Sequence, residues 1–298
     1  MMTPLSFVKP LDIYKSEVPY ELFGFPDSTS SRITNCQYMT VNNIDIQDVR
    51  TTSEVLSLDT AGFKFIRHKS NCPLTAEHFE RAGSSVNGQP VVLAYLEETL
   101  DLVKNELGAD KVLCCDWRFR RSGAPPSVLP IRDDTYDIRL QALAPGLDIH
   151  CDFSHQGGLE RLQMHLLPEE FQAVKSGQWK AKIVNSWRPL NIVKNAPLVI
   201  SDRRTVLQDD LLEVEKVLPD KVERNFYLKY KPYHKWFYMS DQGPEDVAIF
   251  TSWEEKNGSE TAEFPPHGAA SYFGQDFLEN PRESIEVRVM AFTETSKI

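Results

Sequence analysis

The chain is short of cysteine, of long apolar runs and of positive charge, and each shortage removes a class of protein. Its 298 residues include five cysteines (Cys36, Cys72, Cys114, Cys115 and Cys151), an odd number without CxxC spacing. Such a set argues against a disulfide framework and against a zinc ribbon, so buried reduced thiols are expected. No apolar stretch approaches the roughly 20 residues that cross a bilayer. The opening MMTPLSFVKP has neither the basic nor the apolar region of a signal peptide. We therefore expect a cytoplasmic protein without a membrane partner. Acidic residues outnumber basic ones by 43 to 33, for a formal charge of -10. With no basic block to track phosphates, nucleic acid is not an expected partner. Neither GxGxxG nor GxxxxGK[ST] occurs, so dinucleotide and P-loop readings lack local support. The triplet Asn257-Gly258-Ser259 reads as an ordinary turn, because a glycosylation acceptor needs a secretory route.

What is present suits a globular protein: 41% of residues are hydrophobic and 26% charged, enough apolar material for a full core. No internal repeat or low-complexity linker divides the chain, and we read residues 1–298 as one domain. Residues 1–75 look like an extended N-terminal arm, with short β-type runs at 41–46 and 63–66 between Pro, Gly, Ser and Asn clusters. A helix follows over about 91–103, with Pro90 at its start and Gly108 where a C-cap would stand. Beyond it the pattern predicts strands at 111–120, 146–153, 179–187, 197–202, 224–230, 235–239, 246–252, 268–273 and 284–292, interrupted by one helix at about 159–176. Many strands with one or two covering helices point to a mainly β protein with flanking helices, a jelly-roll type barrel.

The most informative stretch is Leu147-Asp148-Ile149-His150-Cys151-Asp152-Phe153-Ser154. Side chains two apart on a strand share a face, so His150 and Asp152 can offer an imidazole and a carboxylate to one ion. With a second His this becomes the 2-His-1-carboxylate face that suits iron(II). Among the other histidines, His267 stands out: it follows the stiff Phe264-Pro265-Pro266 and precedes small residues that would let an ion approach. His234, in an aromatic run, is better explained by stacking. On the last strand Arg282, Ser284, Glu286 and Arg288 share a face. A guanidinium with a hydroxyl beside it is suited to holding a dicarboxylate, although a solvated edge strand would carry the same residues.

The chain resembles the fungal family of non-haem iron oxygenases that groups gibberellin desaturase with hydroxylase/desaturase enzymes of secondary metabolism and is related to cephamycin methoxylase. The resemblance rests on IDIQDVR at 44–50, LDTAGF at 58–63, WRFRR at 117–121, the HxD at 150–152, NSWRPL at 185–190, PLVISDRR at 197–204 and RESIEVR at 282–288. It implies a double-stranded β-helix (jelly-roll, cupin-like) that uses Fe(II), 2-oxoglutarate and O2 to hydroxylate or desaturate an unactivated carbon of a small molecule. Carried over by position, His150, Asp152 and His267 would be the iron ligands. Arg282 with Ser284 would hold the distal carboxylate of 2-oxoglutarate, with Arg288 a rival on the same face. Asn185, Trp187 and Arg188 are candidates for the substrate-binding wall.

Where the family often carries a Lys and an Asp-Ser pair this chain reads Thr251-Ser252-Trp253, and after the HxD it reads Phe153-Ser154. The substrate is therefore not inherited from the resemblance. A long insert, within 159–180 or 205–235, is expected to act as a lid. Two competing readings are an iron oxygenase of the same fold that does not use 2-oxoglutarate, and a non-enzymatic small-molecule binding protein, since fold does not fix function. A homo-oligomer is compatible with all three.

Overall fold

The computed structural model describes residues 1–23, 33–79, 89–124, 142–255, 260–270 and 279–297. The expected turn at Asn257-Gly258-Ser259 and the end of the strand expected at 268–273 lie outside them. In chain order the first strands are β1 (Met2–Val8), β2 (Tyr20–Leu22), β3 (Ile33–Thr34), β4 (Tyr38–Asp48) and β5 (Phe63–Arg67). They are followed by α1 (Pro90–Leu107), β6 (Lys111–Arg121), β7 (His150–Cys151), α2 (His155–His165) and α3 (Pro168–Lys175). Next come β8 (Trp179–Pro189), β9 (Leu198–Ser201), β10 (Leu211–Val217), β11 (Val222–Leu228) and β12 (Trp236–Tyr238). The chain closes with β13 (Asp246–Glu254), β14 (His267–Ala269) and β15 (Glu283–Glu294).

These strands form two sheets. The larger runs β1-β4-β12-β9-β14-β7-β11-β10-β2-β3, and the smaller runs β5-β13-β8-β15-β6. The fold is a double-stranded β-helix, as the resemblance implies, and so a barrel of the jelly-roll type that the strand-rich pattern predicts.

The smaller sheet is buried on both faces, and alternation along its strands decides what each face does. On β15, Ile285, Val287 and Val289 pack with Trp117, Phe119, Val184, Val247 and Ile249 against Val92, Tyr95, Leu96 and Val103 of α1. The opposite face carries Trp187, Ala248 and Phe250 towards Leu198, Ile200 and Phe237 of the larger sheet. Register joins Asn185 to Arg288 and Trp187 to Glu286 on that inner face. Helix α1 begins with Pro90 and ends at Gly108, whose φ of 60° is left-handed, so the residues that predicted its ends do cap it.

Four expectations need correction. Residues 1–75 are not merely an arm: β1 pairs with β4 and β5 with β13, so this segment supplies strands to both sheets. The helix expected at 159–176 is two helices. Pro168 opens the second and pushes the residue before it out of the helical region. Helix α2 starts earlier than expected, capped by the Ser154 hydroxyl, which accepts from Gly157 N. The two glycines that hid this start allow close packing: a Cβ on Gly158 would lie 2.0 Å from Trp253 Cδ1, and one on Gly157 would lie 2.2 Å from Arg224 O.

Finally, the segments expected to form a lid are built into the scaffold. Strands β10 and β11 form an antiparallel hairpin inside the larger sheet, beside β7. In β10 the buried Leu211 and Val214 are outnumbered by half-exposed and exposed neighbours, which concealed the strand.

Candidate metal centre and its cavity

His150 on β7 and His267 on β14 are register partners on adjacent antiparallel strands, so their side chains leave the sheet on the same side. Asp152 follows His150 by two residues. His150 Nε2 lies 3.8 Å from Asp152 Oδ1, and His267 Nε2 lies 3.7 Å from Asp152 Oδ2. One donor atom from each residue falls within 4.8 Å of the others. His150 Nδ1 sits 2.7 Å from Asp148 O and His267 Nδ1 sits 3.1 Å from Pro265 O. A carbonyl oxygen only accepts, so in each ring Nδ1 carries the proton and Nε2 presents its lone pair to the other two ligands.

The electrostatics agree with that arrangement. Burial, followed by the neighbouring His267, pushes His150 down to about 3, which keeps the imidazole neutral. Burial alone would raise Asp152, but Arg288 and then the two histidines hold its carboxyl well below the usual range. Two imidazoles and an ionised carboxylate on one side of a would-be ion match the donor set of mononuclear non-haem iron. The small residues around them fit as well: a Cβ on Gly146 would stand 3.4 Å from His150 Cε1, and one on Gly268 would lie 2.9 Å from Ile149 Cδ1.

Asp152 is held from three directions. Arg288 Nη2 donates to Oδ1 at 2.6 Å, Asn185 Nδ2 donates to Oδ2 at 2.6 Å, and Ser252 Oγ reaches Oδ2 at 3.3 Å. Ser252 also donates to Asn185 Oδ1 at 2.7 Å. It occupies a register shift between Thr251 and Trp253, where a β-bulge aims its hydroxyl inwards. A second shift, between Arg288 and Val289, occurs opposite Arg288 on β6. Sequence reasoning flagged Ser252 only as a departure from a family pattern, because bulges leave no clear local signal.

Arg288 pairs in addition with Glu286 at 2.9 Å and Asp116 at 3.1 Å. Its guanidinium therefore serves the metal ligand and two further carboxylates, which corrects its reading as a rival clamp for the cosubstrate. Arg282 lies elsewhere, together with His150, His267, Trp187, Leu198 and Ala269 in the wall of one cavity. It is buried, donates to Ala196 O at 2.6 Å, and stacks its guanidinium 5.5 Å from the Trp187 ring centre. Ser284 is buried as well, and its Oγ has no hydrogen-bond partner among the described residues.

Of the three candidate wall residues, only Trp187 lines this cavity. Asn185 serves Asp152 instead. Arg188, one residue further along the strand, points to the helix side, where it donates to Tyr95 Oη at 3.1 Å, His68 O at 2.7 Å and Pro244 O at 2.6 Å. Period-two alternation makes a shared wall for Trp187 and Arg188 impossible on a regular strand. A larger cavity near the end of α1 is lined by Lys64, Glu106, Lys182 and Glu254, among other residues. There Lys64 pairs with Glu106, and Lys182 with Glu254.

The family described as Oxidoreductase/YMDC permease-like domain matches residues 5–292. The chain belongs to this family. Among the described residues no helix is long and apolar enough to cross a membrane.

The chain is 29% identical to "Hydroxylase/desaturase efuI" of Hormonema carpetanum, over 84% of this chain and 83% of that protein. It is 26% identical to "Alpha-ketoglutarate-dependent dioxygenase tstK" of Talaromyces stipitatus, over 89% of this chain and 90% of the relative. The solved structure of "iron and alpha-ketoglutarate-dependent endoperoxidase NvfI with different conformation" is similar with a TM-score of 0.74, at 25% identity, over 99% of this chain and 98% of that one. The resemblance drawn from the sequence motifs is to the same kind of enzyme, and this chain carries the His-Asp-His set on the double-stranded β-helix.

Proposed function

We propose that the protein is a non-haem Fe(II)/2-oxoglutarate-dependent dioxygenase that hydroxylates or desaturates an unactivated carbon of a small molecule in fungal secondary metabolism. The observation that carries this reading is the convergence of three ligand atoms within 4.8 Å, two of them on histidines that line a cavity with a buried arginine. In this reading His150, Asp152 and His267 are the iron ligands, and Arg282 with Ser284 clamps the cosubstrate. When bound, iron and 2-oxoglutarate supply a two-electron oxidation by O2, with the oxo acid leaving as succinate and carbon dioxide.

The chain's own residues do the positioning. Backbone carbonyls of Asp148 and Pro265 orient the two imidazoles. Arg288, Asn185 and Ser252 fix the Asp152 carboxylate. Arg282 offers a planar fork suited to a carboxylate, and the Ser284 hydroxyl two residues on can add one donor. Trp187 covers the Arg282 guanidinium and excludes water from that end of the cavity, which strengthens an ionic contact made there. Which outcome follows, hydroxylation or desaturation, depends on which carbon the substrate presents.

We further propose that residues 1–298 act as one oxygenase unit with a small-molecule substrate in the cytoplasm. None of the five cysteines forms a disulfide, which supports a reducing compartment. The test is anaerobic addition of Fe(II) and 2-oxoglutarate to the metal-free protein, followed by the weak visible charge-transfer band of a chelated 2-oxo acid. The wild type should give the band and Arg282→Ala should lose most of it at the same cosubstrate concentration. Stoichiometric iron without a band would instead support an oxygenase that does not use 2-oxoglutarate.

A further inference from the structure

The cavity lined by His150, His267 and Arg282 is also lined by a second arginine, Arg120 on β6. Its register partner is Ser284, so it stands on the same face as the clamp residues. Of the other arginines of this face, Arg282 is the cosubstrate clamp in the reading above, and two are neutralised by carboxylates. Arg118 pairs with Asp116 at 2.7 Å, and Arg288 is shared by Asp152, Asp116 and Glu286. Glu286, the carboxylate in the cavity wall nearest in register, is already taken by Arg288.

Arg120 differs from these. Its one contact among the described residues is a hydrogen bond from Nη1 to Ala144 O at 2.8 Å, which anchors the side chain but adds no negative charge. A guanidinium has five N–H donors, so most of its fork is left for a ligand.

Of the two arginines that line the cavity, Arg282 is taken by the cosubstrate in the reading above, and Arg120 has no carboxylate partner among the described residues.

Resting on the oxygenase reading above, we propose that Arg120 is a specificity-determining residue that binds a carboxylate group of the primary substrate. The carboxylate docks on the Arg120 fork, and the carbon to be oxidised lies between it and the His-Asp-His set. A neutral analogue of the same shape leaves the guanidinium with no anionic partner and binds more weakly.

The probes are benzoate and benzamide, which match in shape and differ in charge. They are titrated into the anaerobic protein loaded with Fe(II) and 2-oxoglutarate, and binding is read from the charge-transfer band and from tryptophan fluorescence. Benzoate should bind about tenfold more tightly than benzamide, as one charge-assisted hydrogen-bonded contact predicts. Arg120→Gln should abolish that preference while leaving the 2-oxoglutarate band in place, which also shows that the variant is folded. Equal binding of the two probes by the wild type, or a preference that survives in Arg120→Gln, overturns the proposal. Loss of the 2-oxoglutarate band in Arg120→Gln but not in Arg282→Gln overturns it too, because Arg120 would then hold the cosubstrate. A wild type without any band sinks the oxygenase reading and this proposal together, whereas a band without a benzoate preference sinks this proposal alone.

Discussion

Arg288 Nη2 donates to Asp152 Oδ1 at 2.6 Å, from a guanidinium that Asp116 and Glu286 also approach within 3.1 Å. Burial opposes the charge on Arg288, but Asp152, Glu286 and Asp116 outweigh it and raise its pKa, so the cation is permanent. Removing one partner of such a buried network strands the others, at a cost of about 3–5 kcal/mol. We expect Arg288→Met to lose much of its stability. Arg288→Lys, which keeps the charge but loses the fork, should fold and bind Fe(II) or Mn(II) about 10–100-fold more weakly, the usual effect of disturbing a ligand's hydrogen-bond partner. A metal titration of Arg288→Lys that matches the wild type would refute this role.

How much of this site was legible in the sequence depended on distance along the chain and on regularity. His150 and Asp152 are two apart, and strand geometry alone puts them on one face. His267 was recognisable because Pro265, Pro266 and the small residues after it mark a stiff, open approach. Trp187 lines the cavity as expected, whereas alternation along the strand turns its neighbour Arg188 to the helix side. The roles of Asn185, Ser252 and Arg288 were hidden for a different reason: they depend on two bulges and on register between strands far apart in sequence. The fold class followed from strand density, whereas β10 and the entry of β1 and β4 into the larger sheet depend on tertiary pairing that no local pattern encodes.

The protonation states of the ligands predict how metal uptake responds to pH. His150, lowered to about 3, is already neutral near pH 7, and Asp152, held far below its ordinary value, is already ionised. Neither has a proton to release when a cation arrives, unlike ligands that must first deprotonate. Calorimetric titration of Mn(II) at pH 8, where an ordinary imidazole is already neutral, should therefore give the same apparent enthalpy in buffers of different ionisation enthalpy. The unfolded chain binds a proton at His150 below about 6.5, and the folded apoprotein does so only near 3. The stability this group contributes is present above 6.5 and is lost as pH falls through that window. A buffer-dependent enthalpy equivalent to one released proton would contradict the assignment.

Arg188 separates structural from catalytic arginines. It is buried against α1, donates to Tyr95, His68 and Pro244, and stacks 5.7 Å from the Tyr95 ring centre. Arg188→Ala leaves those acceptors short of donors and opens space under the helix, which should cost about 2–4 kcal/mol. Because the residue faces away from the cavity, metal and 2-oxoglutarate affinities of the folded variant should stay within about twofold of the wild type. Thermal denaturation and the charge-transfer titration read the two effects separately. A large loss of cosubstrate affinity without a loss of stability would return Arg188 to the cavity wall.

Gly158 offers a test of how the helix following the ligand strand supports the ligand itself. A Cβ there would meet Trp253 Cδ1 at 2.0 Å and Cγ and Nε1 at 2.3 Å, distances no side chain tolerates. Trp253 is buried and donates from Nε1 to His155 O at 3.0 Å, so it cannot simply swing aside. Gly158→Ala must therefore push α2 away from β13 or displace the Trp253 backbone. Overpacking of this kind costs about 1–3 kcal/mol, which lowers Tm by roughly 2–4 °C per kcal/mol in a chain of this size. The displacement should also reach the metal centre, because Ser252 precedes Trp253 at the bulge and its hydroxyl touches both Asp152 and Asn185. We expect Gly158→Ala to weaken Mn(II) binding along with stability, and Ser252→Ala to weaken Mn(II) binding with a smaller loss of Tm. If Gly158→Ala melts with the wild type, the close approach of α2 to Trp253 is not a feature of the folded protein. If it melts lower but binds Mn(II) unchanged, the bulge does not transmit strain to Asp152.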